Sequence, residues 1–305
     1  MLKIYSLNDI FVLEIKNNEI FLHLNKFNIL FMTVSLKSTL WWVFAVFFTI
    51  GIAYYQRTTG PTYPTRGKVE INNNQVKYKL IRTAENDEDA LISITVPDQS
   101  VNGVISYKRY KSNDTLTQVT MLRTGNDLTF MMPKQPAAGK IQYSISLSSG
   151  SRVVNLTEKP VVMRFKGPVP AFILLPHILL MFLAMLFSTR AGIEALIKGS
   201  KTYKYALLTL AFFIPGGLIL GPFVQEYAFG AYWTGWPFKG IFHFGDMTDN
   251  KTAIAVLGWV LAVVMLRRDS SARGWAIAAA LILLAVYMVP HSVLGSEIDY
   301  TQQPK

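Results

Sequence analysis

The sequence predicts an α-helical membrane bundle of about five transmembrane helices, with an all-β, immunoglobulin- or fibronectin-like sandwich domain inserted after the first helix. Three observations carry this. Of the 305 residues, 51% are hydrophobic and only 16% charged, against about a quarter charged in an ordinary soluble domain, and the apolar residues fall in long runs. Between the first two runs, residues 56–168 switch to short β-branched and aromatic stretches separated by turn residues. Lys and Arg gather in two short loops, as they do in cytoplasmic loops beside membrane spans.

Residues 1–31 contain no Gly, Ala, Pro, Arg, Thr or Trp. None of their apolar stretches approaches the roughly 20 residues a span requires. Met32 then opens MTVSLKSTLWWVFAVFFTIGIAYY, an ordinary start followed by a span. Residues 1–31 are therefore expected to be a non-native or disordered extension, and Met32 the initiator. The first transmembrane helix lies within 32–55. Leu40–Tyr55 is its apolar part, with Trp41 and Trp42 at one end and Tyr54 and Tyr55 at the other, where amphipathic rings prefer to lie. No small-residue cleavage site follows, which predicts a retained anchor.

In residues 56–168, KVEINNNQVKYKLIRT, ALISITVP, GVISYKRYK, DLTFMMP, KIQYSISLS, RVVNL and PVVMRF read as about seven strands, punctuated by TGND and SSGS. That number of short strands suggests a β-sandwich. Tyr143 stands where immunoglobulin-like and fibronectin-like sandwiches place a corner tyrosine. GPTYPT (60–65) and FKGPVP (165–170) read as linkers to the flanking spans.

Residues 169–295 read as a four-helix transmembrane domain with spans Val169–Thr189, Tyr205–Pro222, Asp249–Leu266 and Trp275–Gly295. An aromatic outer loop, 223–248, joins the middle pair, and residues 296–305 form a tail. The loop 190–204 carries Arg190, Lys198, Lys201 and Lys204, and the loop 267–273 carries Arg267, Arg268 and Arg273, whereas 223–248 has only Lys239. The first two loops are therefore expected in the cytoplasm. Residues 56–168 and the C-terminus then face outward, as in a multi-pass protein of a bacterial inner membrane with a periplasmic domain.

Ionisable residues inside a bilayer are costly, so each invites a functional reading. His177, His243 and His291 fall on the outer side by this topology. His177, Met181 and Met185 share a helix face, and Met288 and His291 are three apart on the last span. Imidazole with thioether suits Cu(I), and two facing imidazoles can hold haem. His177, His243 and His291 are thus the cofactor candidates, and His177, Met181 and His291 the metal candidates. A packed or hydrogen-bonded His is the plainer alternative, and no motif demands a cofactor.

The stretch FGAYWTGWPFKGIFHFGDMTDNK (229–251) holds too many rings for a solvated loop. Trp233, Trp236, Asp246 and Asp249, with Glu297, form a candidate polar or ligand-binding cluster. The alternative is an interfacial anchor, with Asp249 as the N-cap of the fourth span. The stretch is expected to fold on the outer ends of spans two, four and five, with His243 or Asp246 near His291 or Glu297. Pro215-Gly216-Gly217 should kink span three, and Gly217-x-x-x-Gly221 allows close helix approach, in the bundle or in a homo-oligomer.

Several chemistries are excluded. With no Cys there are no disulfides, thiolate metal sites or Cys nucleophiles. No Gly-x-Ser-x-Gly, Walker loop, HExxH or dinucleotide fingerprint occurs. The net charge of +11 is what Lys and Arg beside spans facing anionic headgroups produce, and no basic–aromatic module for nucleic acid is present.

GPTYP after the first span, PHILLMFLAMLFSTRAG, the YWTGWPF…TDNKT loop and VPHSVLGSE together resemble a family of uncharacterised bacterial multi-span membrane proteins. The likeness covers residues 32–302, and its loop is the most specific part. It implies the same topology and brings no activity, cofactor or catalytic residue. The residues themselves favour a non-enzymatic binding or assembly protein, held in the bilayer and meeting a protein partner through residues 56–168. Alternatives are a haem or copper redox protein, and a small transporter or lipid- or quinone-binding protein.

Overall fold

A computed structural model describes residues 4–7, 10–13, 19–230, 247–289 and 298–301, with side chains for 36–230, 251–289 and 298–301. Trp233, Trp236, His243, Asp246, His291 and Glu297 lie outside the described residues, and so does the expected fold of the aromatic loop. The chain divides into two units, Met1–Phe48 and Thr49–Lys305.

In the first unit, β1 (Ile4–Leu7) and β2 (Ile10–Leu13) form an antiparallel hairpin. Helix α1 then runs from Glu19 to Thr59. This hairpin and the first turns of α1 fall within residues 1–31, the segment read as a non-native or disordered extension. Without Gly or Pro between Glu19 and Phe31, nothing breaks the helical hydrogen-bond ladder before the span begins.

Among the described residues, four helices follow α1, and three segments are long and apolar enough to cross a membrane: Leu36–Thr59 of α1, α2 (Ala171–Leu196) and α3 (Thr202–Phe229). Helix α4 (Met247–Arg268) has Lys251, Arg267 and Arg268 among its described side chains. Helix α5 (Gly274–Met288) has 15 residues, a rise of about 22 Å against a hydrocarbon core of about 30 Å. The described residues thus hold five helices where about five spans were expected, and three of them have span length and apolarity. Because α4 starts at Met247, Asp249 falls inside its first turn and not at the N-cap.

Two boundaries moved for clear reasons. Helix α2 was expected to stop at Thr189 but continues through RAGIEAL, a run dominated by good helix formers, and so takes Arg190 and Glu194 out of the expected loop. Helix α3 does not break at Pro215-Gly216-Gly217. It widens into a π-helical turn over Ile214–Leu220 and resumes to Phe229, which accommodates the missing proline donor without ending the helix.

The β domain holds β3 (Thr65–Ile71), β4 (Asn74–Leu80), β5 (Thr83–Glu85), β6 (Ala90–Thr95), β7 (Asn102–Arg109), β8 (Thr117–Thr120), β9 (Leu122–Thr124), β10 (Asp127–Met132), β11 (Lys140–Ser149), β12 (Arg152–Asn155) and β13 (Val161–Lys166). One sheet has the order β5-β13-β11-β7-β8, with β12 also on β11; a second has β6-β10-β9; β3 and β4 pair as a hairpin. Pairing is antiparallel except for β5 beside β13. The period-2 pattern is plain in β11, where Ile141, Tyr143, Ile145 and Leu147 are buried and their neighbours are not. Both sheets and the hairpin send such residues into one apolar cluster, including Ile71, Leu80, Ile94, Ile105, Leu128 and Phe165.

Two local expectations need correction. The single strand read through KVEINNNQVKYKL is a hairpin, because Asn72 and Asn73 both take positive φ, 51° and 59°, as a two-residue primed turn requires. Tyr143 is not a corner tyrosine of the local kind, whose hydroxyl returns a few residues upstream. It sits within β11, and its hydroxyl donates 2.7 Å to the carbonyl of Ile81, after β4. Burial pushes the phenol pKa up, against a smaller opposing effect of Arg82, so it stays a donor. Tyr143→Phe should therefore lower the stability of the full-length protein in detergent by about 1–3 kcal/mol, since it strands a carbonyl in the domain interior. An unchanged thermal midpoint would contradict this role.

Candidate functional site

The strand registers give the β domain two distinct ends. Lys140 pairs with Arg164, and β13 leads through residues 167–170 straight into α2. That end therefore meets the bundle. The opposite end carries the Asn72–Asn73 turn, residues 96–101, the Gly125–Asn126 turn and the β11–β12 turn.

At this far end, side chains tie separate loops together. Asn72 Nδ2 lies 2.8 Å from Ser149 Oγ, 2.9 Å from Asp98 Oδ2 and 3.2 Å from Ser100 Oγ. Asp98 also accepts the Ser100 hydroxyl at 2.7 Å and its backbone N–H at 2.9 Å. These hydrogen bonds, the Ser100 hydroxyl first and Asn72 next, hold the Asp98 carboxyl below its usual pKa. From β9, Arg123 donates to the carbonyls of Val96, Asp98 and Val101, which pins residues 96–101 from beneath. Gln99 reaches across to the Gly125 carbonyl and Asn126 Oδ1, at 3.4 and 3.3 Å. The outcome is a preorganised polar rim on loops, with Asn73, Gln99 and Asn126 exposed.

The other end is fastened to the bundle. Gly167 N–H donates 2.9 Å to the Ala228 carbonyl at the end of α3. A Cβ on Gly167 would overlap the Tyr227 carbonyl oxygen, so only glycine permits this approach. Arg164, 5% exposed, places its guanidinium 4.6 Å from the Phe229 ring centroid, a cation–π contact. The tail arrives at the same end. The Tyr300 ring lies 4.4 Å from the Arg109 guanidinium, and its hydroxyl lies 3.4 Å from Gln135 Oε1. Arg109 grips Asp114 through two hydrogen bonds of 2.7 and 2.8 Å. These bonds bring the Asp114 carboxyl down to about 2. Tyr107, Arg109, Asp114, Thr117 and Gln135 line an open recess of about 290 Å³ here.

The bundle contacts extend this geometry. Gln56 Nε2 donates to the Tyr287 carbonyl and Lys251 Nζ to the Val289 carbonyl, both at 2.7 Å. The ends of α1, α3 and α5 and the starts of α2 and α4 therefore gather on the side of the β domain. Lys198, Lys201, Lys204, Arg267, Arg268 and Arg273 flank the turns at the opposite side.

Of the candidate site residues, His177 and Met181 have described side chains. His177 Nδ1 lies 2.8 Å from the carbonyl of Gly216, inside the π turn. A carbonyl only accepts, so Nδ1 carries the proton and Nε2 keeps its lone pair. The same carbonyl accepts the Gly221 N–H, the π-type bond. Gly216 is packed against Leu180 of α2 and Gly217 against Thr252 of α4, at hypothetical Cβ distances of 2.9 and 3.0 Å, so these glycines serve close helix contacts within the chain. Among the described residues, no group of three or more His, Asp or Glu side chains converges as metal ligands would.

Comparison with protein-family models, with curated proteins and with solved structures yields no match. The site must therefore be judged on its own geometry.

That geometry includes a pair the sequence reading missed. Arg190 and Glu194, four apart on α2, form an ion pair of 2.6 Å with side chains 1% and 7% exposed. The Arg190 guanidinium lies 4.9 Å from the Tyr205 ring centroid. Glu194 Oε1 accepts the backbone N–H of Lys201 at 3.1 Å, at the start of α3, where a carboxylate also faces the positive end of the helix dipole. The signal was present as Arg and Glu at i, i+4, but Arg190 was read as a loop charge and Glu194 was not singled out. Removing one partner of such a pair strands a buried charge, so Glu194→Ala and Arg190→Met should each cost about 3–5 kcal/mol. The double variant Arg190→Met/Glu194→Leu should recover most of that in calorimetry of the detergent-solubilised protein. A double variant as unstable as the singles would show that the pair acts otherwise.

Proposed function

We propose that this is a multi-pass inner-membrane protein that presents a sandwich-type β domain outside the cytoplasm as a rigid docking platform for a protein partner. The observation that carries this reading is the far rim of the β domain. Asn72, Asp98, Gln99, Ser100, Arg123 and Ser149 hold four loops in one arrangement before any partner arrives. Loops fixed by a scaffold are suited to binding, and preordering reduces the entropy lost on association. The opposite end is bolted to the bundle, which leaves the rim pointing away from it.

The orientation rests on charge. Six Lys and Arg flank the turns at the end opposite the β domain, and such residues favour the cytoplasmic face. Helices α4 and α5 run alongside α2 and α3 between the same two ends, which supports five crossings. The likeness to an immunoglobulin or fibronectin sandwich rests on strand number and a shared core.

The test is site-specific photo-cross-linking in native membranes, with the photoreactive residue at Asn73, Gln99 or, as control, Lys134 at the bundle end. A discrete adduct from the first two positions and none from the third is expected. Absence of adducts at the rim, or equal labelling at Lys134, would overturn the reading.

A second reading, a haem or copper redox protein, has one specific support. His177 donates Nδ1–H to a backbone carbonyl and leaves Nε2 free, an arrangement that metal-ligating histidines commonly adopt. His291 and Met181 would complete the ligand set. If this is correct, protein purified without added metal should carry stoichiometric copper, or iron with haem absorption bands, and His177→Ala should abolish it. A colourless, metal-free protein ends this reading and leaves the first intact.

A further inference from the structure

We infer that α3 is a lever between the β domain and the bundle, and that the β domain's grip on its tip holds the π turn at Ile214–Leu220 wound. This goes beyond presentation of a binding surface, because it needs no partner to be true.

Three features on one helix support it. The base of α3 is immobilised: Glu194 accepts the Lys201 N–H, Arg190 covers Tyr205, and Thr202 Oγ donates 3.2 Å to the Gly199 carbonyl. The tip is immobilised too, by Gly167 on Ala228 and by Arg164 over Phe229. Between them lies the least regular part of the helix, with Pro215 lacking an N–H and Gly216 and Gly217 lacking side chains. A π turn contains one residue more than the α-helical turn it replaces. Its return to α geometry would rotate everything beyond it by about 100°, the angular step per residue at 3.6 residues per turn. Such a rotation would carry Ala228 and Phe229 away from Gly167 and Arg164. While those two contacts hold, the turn cannot rewind.

His177 is the clasp on the other side. Its Nδ1–H bonds the Gly216 carbonyl only while that carbonyl is turned toward α2. Gly216 and Gly217 lie within van der Waals range of α2 and α4, so rewinding would displace both neighbours. A pull on the β domain would reach three helices through one turn.

Hydrogen–deuterium exchange of the full-length protein in lipid nanodiscs tests this, read by mass spectrometry over 202–210, 214–222 and 141–147. Arg164→Ala should change exchange at 214–222 at least about threefold while 202–210 and 141–147 keep wild-type rates, and Arg164→Lys should restore it. His177→Ala should change the same segment, with His177→Asn, which retains a donor, closer to wild type. If Arg164→Ala also raises exchange at 141–147, the domain itself has loosened. Phe229→Leu, which removes only the ring, then supplies the same comparison. An effect of Arg164→Ala or Phe229→Leu confined to 227–230, with 214–222 unchanged, would overturn the inference.

Discussion

At Pro215 the third helix loses a backbone donor inside an apolar bundle, where water cannot replace it, and much of the surrounding structure is arranged around that loss. An unsatisfied carbonyl there costs more than most side-chain contacts contribute. The carbonyl that Pro215 leaves without its N–H lies four residues earlier; just beyond the proline the helix widens, and there the Gly216 carbonyl takes both the Gly221 N–H and the imidazole of His177. Helix α2 contributes a proline of its own, Pro176, directly before that imidazole. Two prolines thus weaken two neighbouring helices at one depth, and a histidine bridges the place. The glycines then have a second use, since without side chains the widened turn can lie against Leu180 and Thr252.

Magnitudes separate the fixed joints from the loose ones. Arg190 and Glu194 are out of contact with solvent, so neither can leave the pair without facing a desolvated charge, a matter of several kcal/mol. This makes the α2–α3 turn a permanent corner. Arg109 and Asp114 have shorter lives as a pair, because their side chains are 44% and 31% exposed, and ion pairs of that kind contribute about 0–1 kcal/mol. The Asp114 pKa falls well below that of an ordinary carboxylate, so whatever the pair contributes is present at neutral pH and is lost progressively as pH falls from the ordinary carboxylate range through about 2. Tyr300 docks on the exposed side of this pair.

The sequence was informative where a rule depends on composition or period, and less so where it depends on a partner far along the chain. Apolar runs marked the helices, and alternation marked β6 and β11. Arg190 was misplaced because the positive-inside rule counts charges near span ends, and nothing in FSTRAGIEAL says that a tyrosine and a backbone N–H from the next helix will bury the pair. Asn72–Asn73 carried a turn signal that an uninterrupted β-rich flank obscured. Tyr143 was recognised as special, but no acceptor could be named for it, because Ile81 is brought to it only by the folded sheets. The Pro215-Gly216-Gly217 disturbance was legible as an irregularity; its π form was not, because the second donor to the Gly216 carbonyl, His177, comes from another helix. Trp233, Trp236, Asp246 and Glu297 fall outside the described residues, so their clustering stands as a reading of the sequence alone.

His177 shows why a buried histidine need not choose between a structural and a chemical role. The bond to Gly216 uses Nδ1 and fixes the ring, and a fixed ring is what a ligand, a proton or a metal would require of Nε2. The same bond also gives any event at Nε2 a mechanical consequence. Drawing the ring toward a ligand would weaken its hold on the Gly216 carbonyl, which belongs to the π turn of α3. A movement of the β domain and a change at His177 would then act on the same few residues from opposite ends. In this chain the histidine is best regarded as the point where the membrane's demand for satisfied hydrogen bonds and the domain's hold on the bundle meet.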